Sequence, residues 1–298
     1  MRVGLVGCGR WGVNILRDLR ALGCDVPVVA RSSLSVARAR AGGAEEIVPS
    51  VSQLAGCDGV VVATPTSTHA GVIEQSLALG VPVFTEKPLC DDPGAARSLA
   101  EAAAHRLFVM DKWRYHPGVL ALAAVSRSGE LGRVLGLRTS RLGWGTRHDD
   151  VDSTWVLMPH DLSIALEILG QVPAPISAVG ASTSAGTTLT GLLRFGDVWQ
   201  VLEISDRSPV WRRRIELVCE AGVAVLDGGW SEHVDVVRTG GDEPDETTLP
   251  TAGELPLLAE LRAFVEHLDG GPAPRSSAGE GALIVEHIAE LRRLARLE

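Results

Sequence analysis

Gly7, Gly9 and Gly12 stand at GxGxxG spacing between a short apolar run, Val3, Leu5 and Val6, and a helical pattern from Val13 to Leu22. No other stretch restricts the fold as tightly, because each glycine answers a separate need. Gly7 allows a tight turn, Gly9 lets a pyrophosphate approach the backbone, and Gly12 lets the helix pack on the strand. Amides at the start of the helix then face anionic phosphates. Gly7, Gly9 and Gly12, with Arg10 and Trp11 between them, are therefore expected to bind a dinucleotide. The alternative is a strand-to-helix turn without a ligand.

The chain continues as alternating strands and helices. Val26 to Ala30 reads as a second strand ending about 20 residues beyond the glycines, where an NAD site presents a carboxylate to the ribose 2′-hydroxyl. Arg31, Ser32 and Ser33 follow instead. A guanidinium and two hydroxyls suit a 2′-phosphate, so NADP(H) is the expected cofactor and NAD(H) the alternative. The plainer reading of Arg31 is a solvated residue opening a helix from Leu34 to Ala41. A strand near Glu46 to Val48, a helix near Ser52 to Ala55 and a valine-rich strand, Gly59 to Ala63, come next. Thr64 and Pro65 end that strand, and Ser67 or Thr68 caps a helix reaching Leu79. Thr64, Pro65 and His69 thus fall at the expected cofactor edge, with a backbone-serving role equally open for His69. Val81 to Thr85 is the next strand, followed by Glu86, Lys87 and Pro88. Lys87 and Lys112 are the only lysines in a chain that otherwise uses arginine for positive charge. Lysine, unlike arginine, shifts into a proton-transfer range, which makes Lys87 a catalytic candidate with Glu86 beside it.

At 298 residues and 45% hydrophobic, the chain is long enough for two domains. Residues 1–116 hold twelve Lys+Arg against eleven Asp+Glu, and residues 117–298 hold sixteen against twenty-six, which makes up the net charge of −9. No basic stripe marks a nucleic-acid surface. Cys8, Cys24, Cys57, Cys90 and Cys219 are odd in number and scattered, so buried thiols in a reducing compartment are expected and no metal site is. No apolar run approaches the ~20 residues that cross a bilayer. A soluble cytoplasmic protein without a membrane partner is the expectation.

Three stretches carry a family resemblance: the GCGRWG start, Ala63 to Leu89, and Met158 to Gly170. They resemble the Gfo/Idh/MocA oxidoreductases, the glucose-fructose oxidoreductase and inositol dehydrogenase family. The resemblance implies a Rossmann domain, here 1–116, and a second domain, 117–298, for substrate and oligomerisation. That second domain would be α+β with a large open, mostly antiparallel sheet, its C-terminal helix packing back on the first. The resemblance also implies NAD(P)-linked hydride transfer on a sugar, sugar nucleotide or cyclitol, in a homodimer or homotetramer formed through that sheet. Two other readings stand beside it: a glycoside-processing enzyme with tightly bound nucleotide and internal redox, and a non-catalytic nucleotide-binding sensor.

The same resemblance places Trp113, Arg114 and His116 at the substrate, with interface packing of the aromatic residues as the alternative. It places Lys87 and His160 at the chemistry, and the adjacent Asp161 is a further candidate for contact with the substrate. Relatives often carry Asp-x-Gly-x-His there, whereas Val156 occupies the position four before His160. Gly143 to Ser153 reads as a polar loop and Met158 to Gly170 as a helix. Without the carboxylate the ring is expected to be less firmly held unless Asp149, Asp150 or Asp152 of the loop reaches it, and a histidine satisfied at a helix start by the backbone of Pro159 and Asp161 is the plainer reading. Strand-like runs at Gly132 to Leu142, Ile176 to Ser182, Thr188 to Phe195, Val198 to Ser205 and Arg212 to Leu226 precede two closing helices. Thr239 to Glu254, rich in Gly, Pro and acids, reads as a mobile loop.

Overall fold

The computed structural model describes residues 1–145, 150–239 and 243–297. The chain divides into two units, Met1–Lys112 with Leu255–Val285, and Trp113–Glu254 with Glu286–Glu298.

In the first unit, strands β1 (Val3–Val6), β2 (Val28–Val29), β3 (Ile47–Val48), β4 (Gly59–Val62), β5 (Val83–Glu86) and β6 (Leu107–Met110) alternate with helices α1 (Gly12–Ala21), α2 (Ser33–Ala41), α3 (His69–Leu77) and α4 (Pro93–Ala103). The strands form one parallel sheet in the order β3-β2-β1-β4-β5-β6. Strand order reverses beside β1, which puts the glycine turn at the crevice where open α/β sheets bind ligands. Cap chemistry starts the helices. Ser32 accepts from the Ser35 amide at 3.1 Å, and Asp92 accepts from Ala95 at 2.7 Å with Pro93 in the first turn. Thr66–Thr68 forms a 3-10 turn and α3 begins at His69, directly after Thr68, whose side chain makes no cap bond to the helix.

The second unit carries α5 (Pro117–Ser128), β7 (Val134–Trp144), α6 (Ser153–Leu169) and β8 (Ala174–Thr183). β9 (Gly186–Phe195), β10 (Val198–Ser205), β11 (Arg207–Cys219), β12 (Gly222–Asp227), β13 (His233–Arg238) and β14 (Asp245–Pro250) follow. These eight strands make one sheet, β14-β13-β12-β11-β7-β10-β9-β8, antiparallel except where β10 runs parallel to β7. Leu122, Ile164 and Ile168 of α5 and α6 pack against Leu137, Ile215, Leu217 and Leu226 on one face of it. This is the α+β architecture expected.

Three expectations are corrected. The segment Thr239–Glu254 is not simply a loop, because Asp245–Pro250 pairs with β13 as an edge strand. Its run of polar residues, Asp245, Glu246, Thr247 and Thr248, hid it, since neither face of this edge strand is buried. Helix α6 starts at Ser153, five residues before Met158. Asp152 accepts from the Thr154 amide at 2.9 Å and starts the helix, and Pro159 lies inside it. The boundary falls after Lys112, four residues before the expected 116/117, and residues 255–285 group with the first unit. Helix α7 (Pro256–Leu268) explains that grouping: Phe264 stacks on Phe84 of β5 with ring centroids 5.0 Å apart. The last helix is α8 (Ala278–Leu294).

Candidate active site

Each glycine of the turn meets the need that its position implies. Gly7 has φ +96°, and a Cβ there would lie 2.6 Å from the carbonyl oxygen of Ala63. A Cβ on Gly12 would lie 2.3 Å from the carbonyl of Gly7, whereas one on Gly9 would meet nothing within 4 Å. The space before Gly9 is the cradle that a pyrophosphate requires, so these residues fit a dinucleotide. Arg10 and Trp11 are exposed at the turn. The Trp11 indole N–H donates to the Glu86 carboxylate, which also accepts the Lys87 backbone N–H at 3.2 Å. The Lys112 ammonium lies 4.1 Å from the Trp11 ring centroid, a cation–π arrangement. Glu86 thereby ties the glycine turn to the end of β5, and Lys87 follows, half-buried, in the next position.

Glu260 is a member of this group that sequence reading missed. Leu268 and Phe264 of α7 lie against Gly59, at the start of β4, while Phe264 also meets Phe84. The helix thus runs from the carboxyl edge of the sheet toward its amino edge. Four residues of helix rise about 6 Å and two residues of strand advance about 6.6 Å. Glu260, four before Phe264, is therefore level with Glu86, two beyond Phe84. It is 1% exposed. Burial raises its carboxyl well above the usual range, Glu86 and Asp111 add to that, and the Lys112 and Lys87 ammoniums oppose it. The signal was present: Leu257, Glu260, Leu261, Phe264 and Leu268 share one helical stripe, and an acid inside an apolar stripe is an anomaly.

Two expected cofactor contacts are corrected. His69 is 1% exposed, and its ring nitrogens lie 2.8 Å from the carbonyl of Pro88 and 3.0 Å from that of Thr64. It fastens two loops of the edge together and does not face a ligand; burial lowers its pKa despite the two carbonyls. Ser32 commits its hydroxyl to the cap of α2 and to Ser35. Arg31, Ser33 and Pro65 are exposed, and Thr64 is half-buried, its hydroxyl accepting from Thr68 at 2.9 Å.

In the second unit, α6 is buried at every position from Ser153 to Ile168 except His160, which is half-exposed. The Trp113 ring lies 6.4 Å from the His160 ring, edge on, and stacks on His116 at 4.8 Å. The Arg141 guanidinium covers Trp113 at 4.7 Å and holds Asp161 through two bonds of 3.0 and 3.4 Å. Asp161 is 1% exposed, so it positions Arg141 instead of contacting substrate. Arg114 and His116 are corrected likewise. Arg114 is buried in an ion pair with Glu167 at 3.1 Å. His116 caps α5, accepting from the Gly118 amide at 3.1 Å, and its other ring nitrogen donates to the Gly229 carbonyl at 2.9 Å. Short polar residues at helix caps and buried pairs look like site residues in a sequence, because the chemistry that serves a backbone also serves a ligand. Val156 is buried. Asp152 gives its carboxylate to Thr154 and Arg292, and Asp149 lies outside the described residues.

Among the described residues no group of His, Cys, Asp and Glu is placed to hold a metal ion. All five cysteines are free and buried, and burial pushes Cys90 up to about 11. No helix among them is long and apolar enough to cross a membrane.

Residues 1–109 match a family model described as an oxidoreductase family with an NAD-binding Rossmann fold. Over 301 aligned residues the chain is 30% identical to a myo-inositol dehydrogenase of Streptomyces leeuwenhoekii, covering 92% of this chain and 90% of that protein. It is 32% identical over 187 residues to a UDP-N-acetylglucosamine 3-dehydrogenase of Acidithiobacillus ferrooxidans, covering 61% of this chain and 58% of that one. A solved structure of that organism's UDP-N-acetylglucosamine 3-dehydrogenase superposes with a TM-score of 0.86 at 24% identity, over 100% of this chain and 98% of the other.

Proposed function

This chain belongs to the Gfo/Idh/MocA oxidoreductase family, and from that premise we propose that it moves hydride between a nicotinamide dinucleotide and a hydroxyl-bearing carbon of a sugar, sugar nucleotide or cyclitol. The myo-inositol and UDP-N-acetylglucosamine dehydrogenases among its relatives support that range of substrates. The observation that carries the reading is the bond from Trp11 to Glu86, which fixes the dinucleotide turn to the strand end where Lys87 begins. When bound, the dinucleotide supplies or accepts the hydride.

The chain's own residues manage the accompanying proton. Lys87 orients the reacting oxygen and holds or releases its proton, and His160, the one half-exposed position between Ser153 and Ile168 of α6, is the second acid/base. Trp113 packs beside His160 as a wall of the substrate site. The first unit takes the nucleotide, and the second takes the substrate and a second copy of the chain. Exposed Ile176, Val179, Leu192 and Phe195 on β8 and β9 favour that self-association into dimers or tetramers. Arg31 with Ser33 favours NADP(H) over NAD(H). Free thiols throughout suit a reducing, cytoplasmic setting.

The test is absorbance at 340 nm on mixing the protein with NADP⁺ or NAD⁺ and a panel of cyclitols, free sugars and nucleotide sugars. Reduction of either nucleotide by a member of the panel is expected. A protein that binds nucleotide yet reduces none with any compound contradicts the proposal.

A further inference from the structure

One end of the helix-bearing face of the large sheet carries positive charge that the described residues do not balance. Arg213 of β11 and Arg141 of β7 are register partners on antiparallel neighbours. Alternation places Arg213 on the face of Ile215 and Leu217, and Arg141 on the face of Leu137, so both side chains leave the sheet on its core side. Like charges directly opposite each other destabilise a sheet. One acid meets the pair: Asp161, which is bound to Arg141 through both of its oxygens. Arg213 takes part in no ion pair among the described residues. Its Nη1 donates to the carbonyls of Leu142 at 2.5 Å and Arg212 at 2.7 Å, and its guanidinium lies 4.2 Å from the Trp211 ring. Burial and the charge of Arg141 lower Arg213 to about 10, with Asp161 acting the other way. Among the described residues the two guanidiniums thus share one carboxylate.

The surroundings of this pair are those of a binding surface. Trp211 shares the face of Arg213, lies against Gly143 where a Cβ would sit 2.8 Å from its ring, and is 65% exposed. Arg141 covers Trp113, which also stacks on His116 and lies edge on to His160. A half-buried cation without an anion is a standing cost to the fold, and such costs persist where a ligand relieves them. The planar donor fork of a guanidinium matches a carboxylate or a phosphate group, while an aromatic shelf suits the ring that bears it.

We propose that Arg213, backed by Arg141, is a specificity-determining anion site, and that the substrate is a carbohydrate bearing an oxyanion, either a carboxylate or a phosphate. This rests on the reading that His160 and Trp113 face the substrate. Arg213 does not touch the reacting carbon; it selects the acidic member of a pair of otherwise similar sugars.

Calorimetric titration of the whole protein, saturated with NADPH, tests this with two pairs: glucuronate against glucose, and N-acetylglucosamine 1-phosphate against N-acetylglucosamine. The acidic member of at least one pair binds tenfold or more tightly than its neutral partner in the wild type. The first pair reports a carboxylate and the second a phosphate. Arg213→Gln reduces that preference at least tenfold, and Arg213→Lys, which keeps the charge and loses the fork, retains part of it. Arg213→Gln melts no earlier than wild type, because it removes one of two opposed charges; Arg213→Met takes its place if the glutamine variant fails to fold. Equal binding of the acidic and neutral members of both pairs, or a preference that survives in Arg213→Gln, overturns the proposal. Acid-selective binding without any hydride transfer at 340 nm leaves this site standing and removes the oxidoreductase reading. Turnover of neutral sugars as efficient as that of acidic ones does the reverse.

Discussion

Arg31 stands exposed where β2 ends and α2 begins, at the position that meets the adenosine ribose in this fold. A charge-assisted contact of about 1.5 to 3 kcal/mol corresponds to roughly a tenfold to hundredfold preference for NADP(H). Titration of both nucleotides into wild type and Arg31→Ala checks it: the wild type prefers NADP(H) and the variant does not, whereas equal affinities in the wild type contradict the assignment. His160 makes a second prediction at this scale. Val156 supplies no carboxylate from the preceding turn, Asp152 is committed to the helix cap and Arg292, and the ring lies edge on to Trp113. His160→Asn is expected to lower turnover by about 10² or more and to flatten one limb of the pH–rate profile. An unchanged rate and profile assigns the proton to another group.

Helix α7 shows what an element contributes beyond its residues. Its apolar stripe buries Leu257, Leu261 and Phe264 in the core of the first unit and carries Glu260 in with them. Because the folded state raises the Glu260 pKa, the folded chain binds that proton more tightly than the unfolded one. The stability this group contributes is complete below the unfolded pKa and is lost as pH rises through the folded one. Glu260→Gln, which mimics the protonated form, is therefore expected to be more stable than wild type at pH 8 by about 1 to 3 kcal/mol, the usual cost of a buried polar group left unsatisfied. The gain should shrink toward pH 4.5; denaturant melts at both pH values that show a constant difference contradict it. The strands and helices of the first unit were legible because a buried parallel sheet writes valine runs and a dinucleotide turn writes glycines, as at Gly59–Val62 and Gly7–Gly12. The start of α6 was less legible, since Pro159 suggested a helix beginning and the Asp152 cap lay in a polar stretch that read as a loop. Long-range pairings such as Arg114 with Glu167 and Arg141 with Asp161 leave no local pattern, so their residues looked available for substrate. The docking of α7 on β5 and the edge pairing of β14 were hidden for the same reason.

Across the whole molecule, the net negative charge lies in residues 117–298, so Arg213, without an ion pair among the described residues, stands out against its own charge background. The edge strand β8 and its neighbour β9 present Val179 at 71% and Phe195 at 53% exposure. If a second copy covers them, Val179→Glu combined with Phe195→Glu shifts the sedimentation coefficient to that of a monomer, and an unchanged value contradicts assembly through this sheet. The proposed function assigns the dinucleotide turn, Glu86 and Lys87 of the first unit to cofactor and proton transfer, and His160 and Trp113 of the second to the substrate. The most direct test of that account is turnover of Lys87→Met at 340 nm on the best compound of the panel, with nucleotide affinity measured on the same preparation. The account predicts affinity within about threefold of wild type and turnover lower by about 10² to 10⁴, the usual share of acid–base catalysis. Wild-type turnover in the variant, or loss of nucleotide binding with it, would contradict the placement of Lys87 at the reacting oxygen.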